Sequence, residues 1–140
     1  MEKKAVDTQV GGDHYKKLGY QPIELIHKLG LDFFQGNMLK YITRYKYKNG
    51  QEDLAKCIHY AKLAYELGPK DTLVITRKYT RPKEEILEEI MLYKKENKLS
   101  NLQTEIILAI YNYNMKRVIL YTKCTKWLIA GKKIKNKLHI

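Results

Sequence analysis

The chain has 140 residues, of which 44% are hydrophobic and 30% charged, and its formal net charge is +12. That length suits one compact domain or two very small ones, and the apolar share is enough for a packed core, which excludes a wholly disordered chain. No apolar run approaches the roughly 20 residues of a membrane-spanning helix, and Met1-Glu2-Lys3-Lys4 opens no secretory signal, so the expectation is a cytoplasmic protein without membrane contact.

Residues 1–12 read as a loose entry ending in Gly11-Gly12. Pro22 fits the first position of a helix that carries Ile23, Leu25, Ile26 and Leu29 and stops at Gly30. Asp32 caps a second helix, expected to run to about Lys48, with an apolar row of Phe34, Met38, Tyr41, Ile42 and Tyr45. Asn49-Gly50 ends it. A third helix, from about Gln51 to Leu67, is expected to bury Leu54, Ile58, Ala61 and Tyr65 and to end at Gly68-Pro69. Residues 1–69 thus read as one small helical domain. Residues 70–82 read as a linker, with Thr72 to Thr76 as an alternative short extended piece.

Pro82 opens a helix over about 83–97, with Glu84 and Glu85 in the first turn, where the helix dipole favours them. Ser100 and Gln103 make a capping box for a helix from about Asn101 that carries Leu102, Ile106, Ala109, Ile110 and Tyr113. From Met115 onward there is no Asp or Glu, so the positive excess gathers at this end. Two more helices are expected there. One runs from Met115 to about Thr122 with Val118 and Tyr121 inward. The other runs from Thr125 to Lys137 with Trp127, Leu128 and Ile134 as packing residues, interrupted by Gly131. The expected fold class is all-α, with residues 83–140 as a second, basic helical domain.

On the second helix Asn37, Lys40, Arg44 and Lys48 recur at helical spacing, and on the third Asp53, Lys56 and Tyr60 do the same. An antiparallel pair joined by a tight turn brings the two stripes together. Cations there can hold phosphate oxygens, and a carboxylate can orient them or take Mg²⁺. The same spacing also describes an ordinary solvated face, so both readings stand at this level. The chain has no GxxxxGK[ST] phosphate loop. Cys57 and Cys124 lack metal-ligand spacing and read as reduced thiols. The 12 tyrosines offer base-stacking surfaces, although an AT-rich coding sequence produces the same enrichment.

Four strings occur in order: Asp13-His14-Tyr15; Pro22-Ile23-Glu24; Phe34-x-Gly36-Asn37-x-Leu39-Lys40-Tyr41-Ile42-x-Arg44; and Glu52-Asp53-Leu54-x-Lys56-x-x-x-Tyr60. Over residues 11–67 this pattern resembles the SaV-like bacteriophage domain family. That family is similar to the C-terminal part of the small nucleotide kinase of the T-odd phages. The resemblance implies a phage or prophage protein that handles nucleotides, with Mg²⁺ arriving on a bound nucleotide. It implies Lys40 and Arg44 as phosphate clamps, His14 as a proton shuttle or base contact, and Tyr15 as a stacking platform. Asp53 is implied for Mg²⁺ or for orienting Arg44, and Asn37, Lys56 and Tyr60 complete the ligand set. Where family members carry a Gly-Lys-rich segment, this chain has Tyr45-Lys46-Tyr47-Lys48.

Residues 100–140 more loosely resemble the helix-turn-helix tails of PucR-type regulators, with Lys133-Ile134-Lys135 as the ending. That layout sends a basic last helix into a groove of DNA. The contacts would come from Lys116, Arg117, Lys123, Lys126, Lys132, Lys133 and Lys135 to phosphates, and from Thr122, Thr125 and Lys126 to base edges. The leading expectation is a nucleotide-binding protein, with catalysis left open. The alternative is a non-enzymatic nucleic-acid-binding regulator or counter-defence protein. A third reading is a homo-oligomer formed through tyrosine-bearing helix faces.

Overall fold

The computed structural model describes residues 4–12, 18–70 and 82–137, with side chains described up to Lys133. His14, Tyr15 and Thr72–Thr76 lie outside the described residues, as does the side chain of Lys135. The fold is all-α, and no strand occurs among the described residues. The helices are α1 (Pro22–Leu29), α2 (Phe33–Arg44), α3 (Gln51–Leu67), α4 (Lys83–Glu96), α5 (Asn101–Tyr111) and α6 (Met115–Lys137).

Local chemistry sets the helix starts. Asp32 caps α2, its side chain accepting from the Gln35 backbone N–H at 2.8 Å while Gln35 Oε1 accepts the Asp32 N–H at 3.0 Å. Ser100 and Gln103 repeat this box on α5, at 3.1 and 2.9 Å. Gly30 ends α1 with a φ of 63°, a left-handed conformation that glycine enters without steric cost. The second helix is shorter than the pattern suggested. It ends at Arg44 and tightens into a 3-10 turn over Tyr45–Tyr47, because the chain must reverse before Asn49-Gly50 to lay α3 back against α2.

α2 lies at the centre and touches α1, α3 and α5; α6 packs on α3 and α5, and α4 on α5 and α1. The two capping glutamines tie α2 to α5 reciprocally. Gln35 Nε2 donates to the Ile110 carbonyl at 2.9 Å, and Gln103 Nε2 donates to the Ile42 carbonyl at 2.8 Å. Each glutamine therefore closes its own helix start and satisfies a carbonyl near the end of the other helix, deep in the core, where an unpaired carbonyl is costly. Thr43 Oγ1 and Tyr93 Oη, 2.6 Å apart, add a buried link from α2 to α4.

One apolar core runs through both halves of the chain. Leu25, Met38, Leu39, Ile42, Leu54 and Ala61 from the first half meet Ile90, Tyr93, Ile106, Ile110 and Val118 from the second. The boundary expected at 70–82 thus does not divide the core. Close packing also explains Gly36, where a Cβ would come within 3.3 Å of Ile26 Cδ1 on α1.

The C-terminal expectation needs correcting. Residues 115–137 form one continuous helix, so the helix-turn-helix break between Thr122 and Thr125 is absent. Nothing in Thr122-Lys123-Cys124-Thr125 forces a turn. The helical phase is set by Met115 and Val118, and it carries Thr122 and Thr125 to the buried face. Their hydroxyls are accommodated there. Thr125 Oγ1 donates back to the Tyr121 carbonyl at 2.9 Å, and Thr122 Oγ1 lies 3.9 Å from the Cys57 sulfur. The same phase turns Trp127 and Leu128 outward, at 77% and 49% exposure, although both were expected to pack. Tyr65, expected in the core, is also exposed, on the outer face of α3. Cys57 is fully buried between α3 and α6, and burial pushes its thiol up to about 12, so it stays protonated.

Candidate functional site

The antiparallel α2–α3 pair brings the two polar stripes together. Arg44 is buried and grips Asp53 with two parallel contacts, Nε to Oδ2 and Nη2 to Oδ1, both at 3.1 Å. Asp53 is wholly buried, and its Oδ2 also accepts the Asn49 backbone N–H at 3.4 Å. Of the two roles expected for this carboxylate, the geometry is that of orienting Arg44. A carboxylate so enclosed does not fit Mg²⁺, and no group of three or more His, Cys, Asp or Glu suited to a metal occurs among the described residues. Arg44, expected as a phosphate clamp, is thus held by the helix pair through Asp53.

Tyr41 is the centre of what remains open. Its ring has Arg44 Cζ 4.8 Å from the centroid, Lys56 Nζ at 5.6 Å and Lys40 Nζ at 5.7 Å. Such cation–ring contacts hold positive charge beside an aromatic face without neutralising it. Tyr41 stacks on Tyr60 at 5.9 Å and 25°. Phe33 meets Tyr60 edge-on at 6.0 Å, and His59 flanks the same ring at 6.2 Å. Phe33 is 71% exposed, so this aromatic row ends in solvent. Asn37 sits beside it with its amide donating to the Phe33 carbonyl at 2.8 Å. Lys56 pairs with Glu52 at 3.1 Å on the exposed surface, which raises its pKa.

Lys40 is different. It has no carboxylate partner among the described residues, and its pKa lies below the ordinary lysine value. Partial burial is the main cause, and the charges of Arg44 and Lys48 add to it. Lys40 also lines a cleft of about 300 Å³ beneath the Thr8–Val10 segment, walled by Gln21, Pro22, Ile23 and Ile26. That volume is at the small end of the range for ligand sites.

The basic residues of α6 are spread along its length. Lys116 borders a cleft near Tyr113, and Arg117 covers the Tyr121 ring at 5.9 Å. Lys123 and Lys126 line the same cleft as Trp127, and Lys132 and Lys133 follow nearly two turns after Lys126. Thr125, expected to reach for base edges, is buried and cannot do so. The structure adds Phe33, Tyr41, Lys46 and Trp127 to the surfaces of interest. Phe33 could have been found as the residue one turn before Asn37, whereas nothing in the sequence links Lys46 to α6.

Residues 10–62 match a family described as a protein of unknown function, DUF3310. The match covers α1, α2 and most of α3, and so includes Lys40, Tyr41, Arg44, Asp53, Lys56 and Tyr60. The chain has no match among curated proteins or among solved structures.

Proposed function

We propose that this protein binds nucleotides on the α2–α3 face, as a phage-type relative of the nucleotide-kinase-like proteins that residues 11–67 resemble. The observation that carries the reading is the Phe33–Tyr60–Tyr41 row ending at Lys40, a cation with no carboxylate partner among the described residues. A base can stack on the exposed Phe33 edge of the row, a contact worth roughly 1–3 kcal/mol. Phosphate oxygens then reach Lys40 and Lys56 along the same face. Lys40 has already lost part of its hydration and sits in the field of Arg44 and Lys48, so an arriving phosphate relieves repulsion as well as forming an ion pair. The polar residues of the α2 and α3 strings quoted above come together on this face, which supports reading them as one group. Arg44 and Asp53 act behind it, holding the two helices in register.

Calorimetric titration with nucleoside mono-, di- and triphosphates tests the proposal. Phe33→Ala and Lys40→Ala should each lower affinity about tenfold without changing the melting curve. A parent protein that binds no nucleotide, or variants that bind as well as the parent, would overturn it.

A further inference from the structure

We infer that the two clefts along the second half of α6 form one binding track for single-stranded nucleic acid. The first cleft, of about 590 Å³, lies where the α2–α3 turn meets α6. Lys46 and Lys48 line it from the turn, and Lys132 and Lys133 from α6. The second, of about 550 Å³, lies between α3 and α6 and is almost wholly apolar. Ile58, Trp127 and Ala130 form its walls, and Lys123, Lys126 and Lys133 its rim. Lys133 borders both. Among the described residues, no carboxylate lines either. The hydrogen bond from Gln51 Nε2 to the Lys126 carbonyl, 2.9 Å, pins the start of α3 to α6 and holds the second cleft in shape.

The chemistry of the track alternates. Lysines converge from two distant segments with no neutralising partner among the described residues, which favours a ligand with repeated negative charge. Between them stands Trp127, the only tryptophan of the chain, 77% exposed at the mouth of an apolar groove. A flat ring beside cations suits a base followed by a phosphate. An acidic peptide would satisfy the lysines and leave the ring unused. Duplex DNA would satisfy them too, but its bases are already stacked on one another and cannot lie on Trp127. The track is larger than one nucleotide needs, since its cations line two clefts. This inference stands apart from the nucleotide reading, because of these lysines only Lys48 acts on Lys40, and the residues substituted in the test below, Trp127, Lys132 and Lys133, all lie on α6.

The test uses the fluorescence of the intact protein, which has no tryptophan other than Trp127. Titration with an oligothymidylate of about 12 nucleotides should quench it, and the logarithm of the affinity should fall with that of salt with a slope of roughly −0.7 per phosphate contacted. The Lys132→Gln/Lys133→Gln double variant should flatten that slope by about 1.4. Trp127→Leu, followed by anisotropy of a labelled oligomer, should bind roughly tenfold more weakly. Three results would overturn the inference: no quenching by the oligomer, a duplex of the same length that binds more tightly than the single strand, or heparin that quenches as strongly as the oligomer. Loss of nucleotide binding at α2–α3 leaves this readout untouched, so failure of one reading is distinguishable from failure of the other.

Discussion

Arg44 on α2 is buried against Asp53 and beneath the Tyr41 ring, whereas Lys132 and Lys133 on α6 are exposed and border clefts that no carboxylate of the described residues lines. The difference separates two uses of positive charge. A desolvated guanidinium with a bidentate partner fixes the relation of two helices and contributes little as a ligand contact. A solvated lysine keeps its charge available to a partner, costs little to the fold, and is screened by salt. Lys40 stands between these cases, partly buried like Arg44 but, like the α6 lysines, without a carboxylate partner among the described residues, and it is the α2 cation best placed to meet a ligand.

The comparison breaks most readily at Asp53. Asp53→Ala leaves Arg44 buried without its partner and should destabilise the protein by about 3–5 kcal/mol in urea denaturation. Lys132→Ala should stay within about 0.5 kcal/mol of the parent. A comparable cost for both would mean that the α6 charge is structural as well. Gln103→Ala should cost about 1–3 kcal/mol, because the Ile42 carbonyl and the Ser100 N–H both lose a partner inside the fold. Thermal melting of that variant beside Glu105→Ala, an exposed change on the same helix, isolates the effect.

Lys40 sharpens the comparison through pH. Its folded pKa is lowered, so its charge is complete well below that value and is lost as pH rises through it, before ordinary lysines titrate. Nucleotide affinity should therefore fall with rising alkaline pH by up to about tenfold per unit, beginning below the ordinary lysine value. An affinity that holds constant until that value is reached would show that Lys40 is not the cation that meets the ligand. The smallest effect is expected at Trp127→Ala, within about 0.5 kcal/mol of parental stability, because its ring is mostly in solvent. A loss of several kcal/mol would show that the ring packs against the fold and is not a free stacking surface.

Sequence alone determined the features that neighbouring residues settle. Asp32 with Gln35, Ser100 with Gln103, and Gly30 after Leu29 mark helix ends because the groups that satisfy a helix terminus lie within a few residues of it. The periodic apolar positions of α2 and α3 likewise identified Met38, Ile42, Leu54, Ile58 and Ala61 as buried, while Leu39, Cys57 and Ala64 were added by packing on further sides of the helices. The pairing of Arg44 with Asp53 was legible as one of two roles, since a short turn between antiparallel helices brings those positions together. Tertiary structure decided the rest. It selected which face of α6 turns inward, burying Thr122 and Thr125 and leaving Trp127 out, because Met115 and Val118 anchor the helix against the core and one continuous helix carries that phase along its length. It also placed Lys46 and Lys48 beside Lys132 and Lys133, across more than half the chain. Local propensity has no term for such a meeting, which depends on how α3 and α6 dock. The helices were written in local chemistry, and the two basic surfaces came from packing.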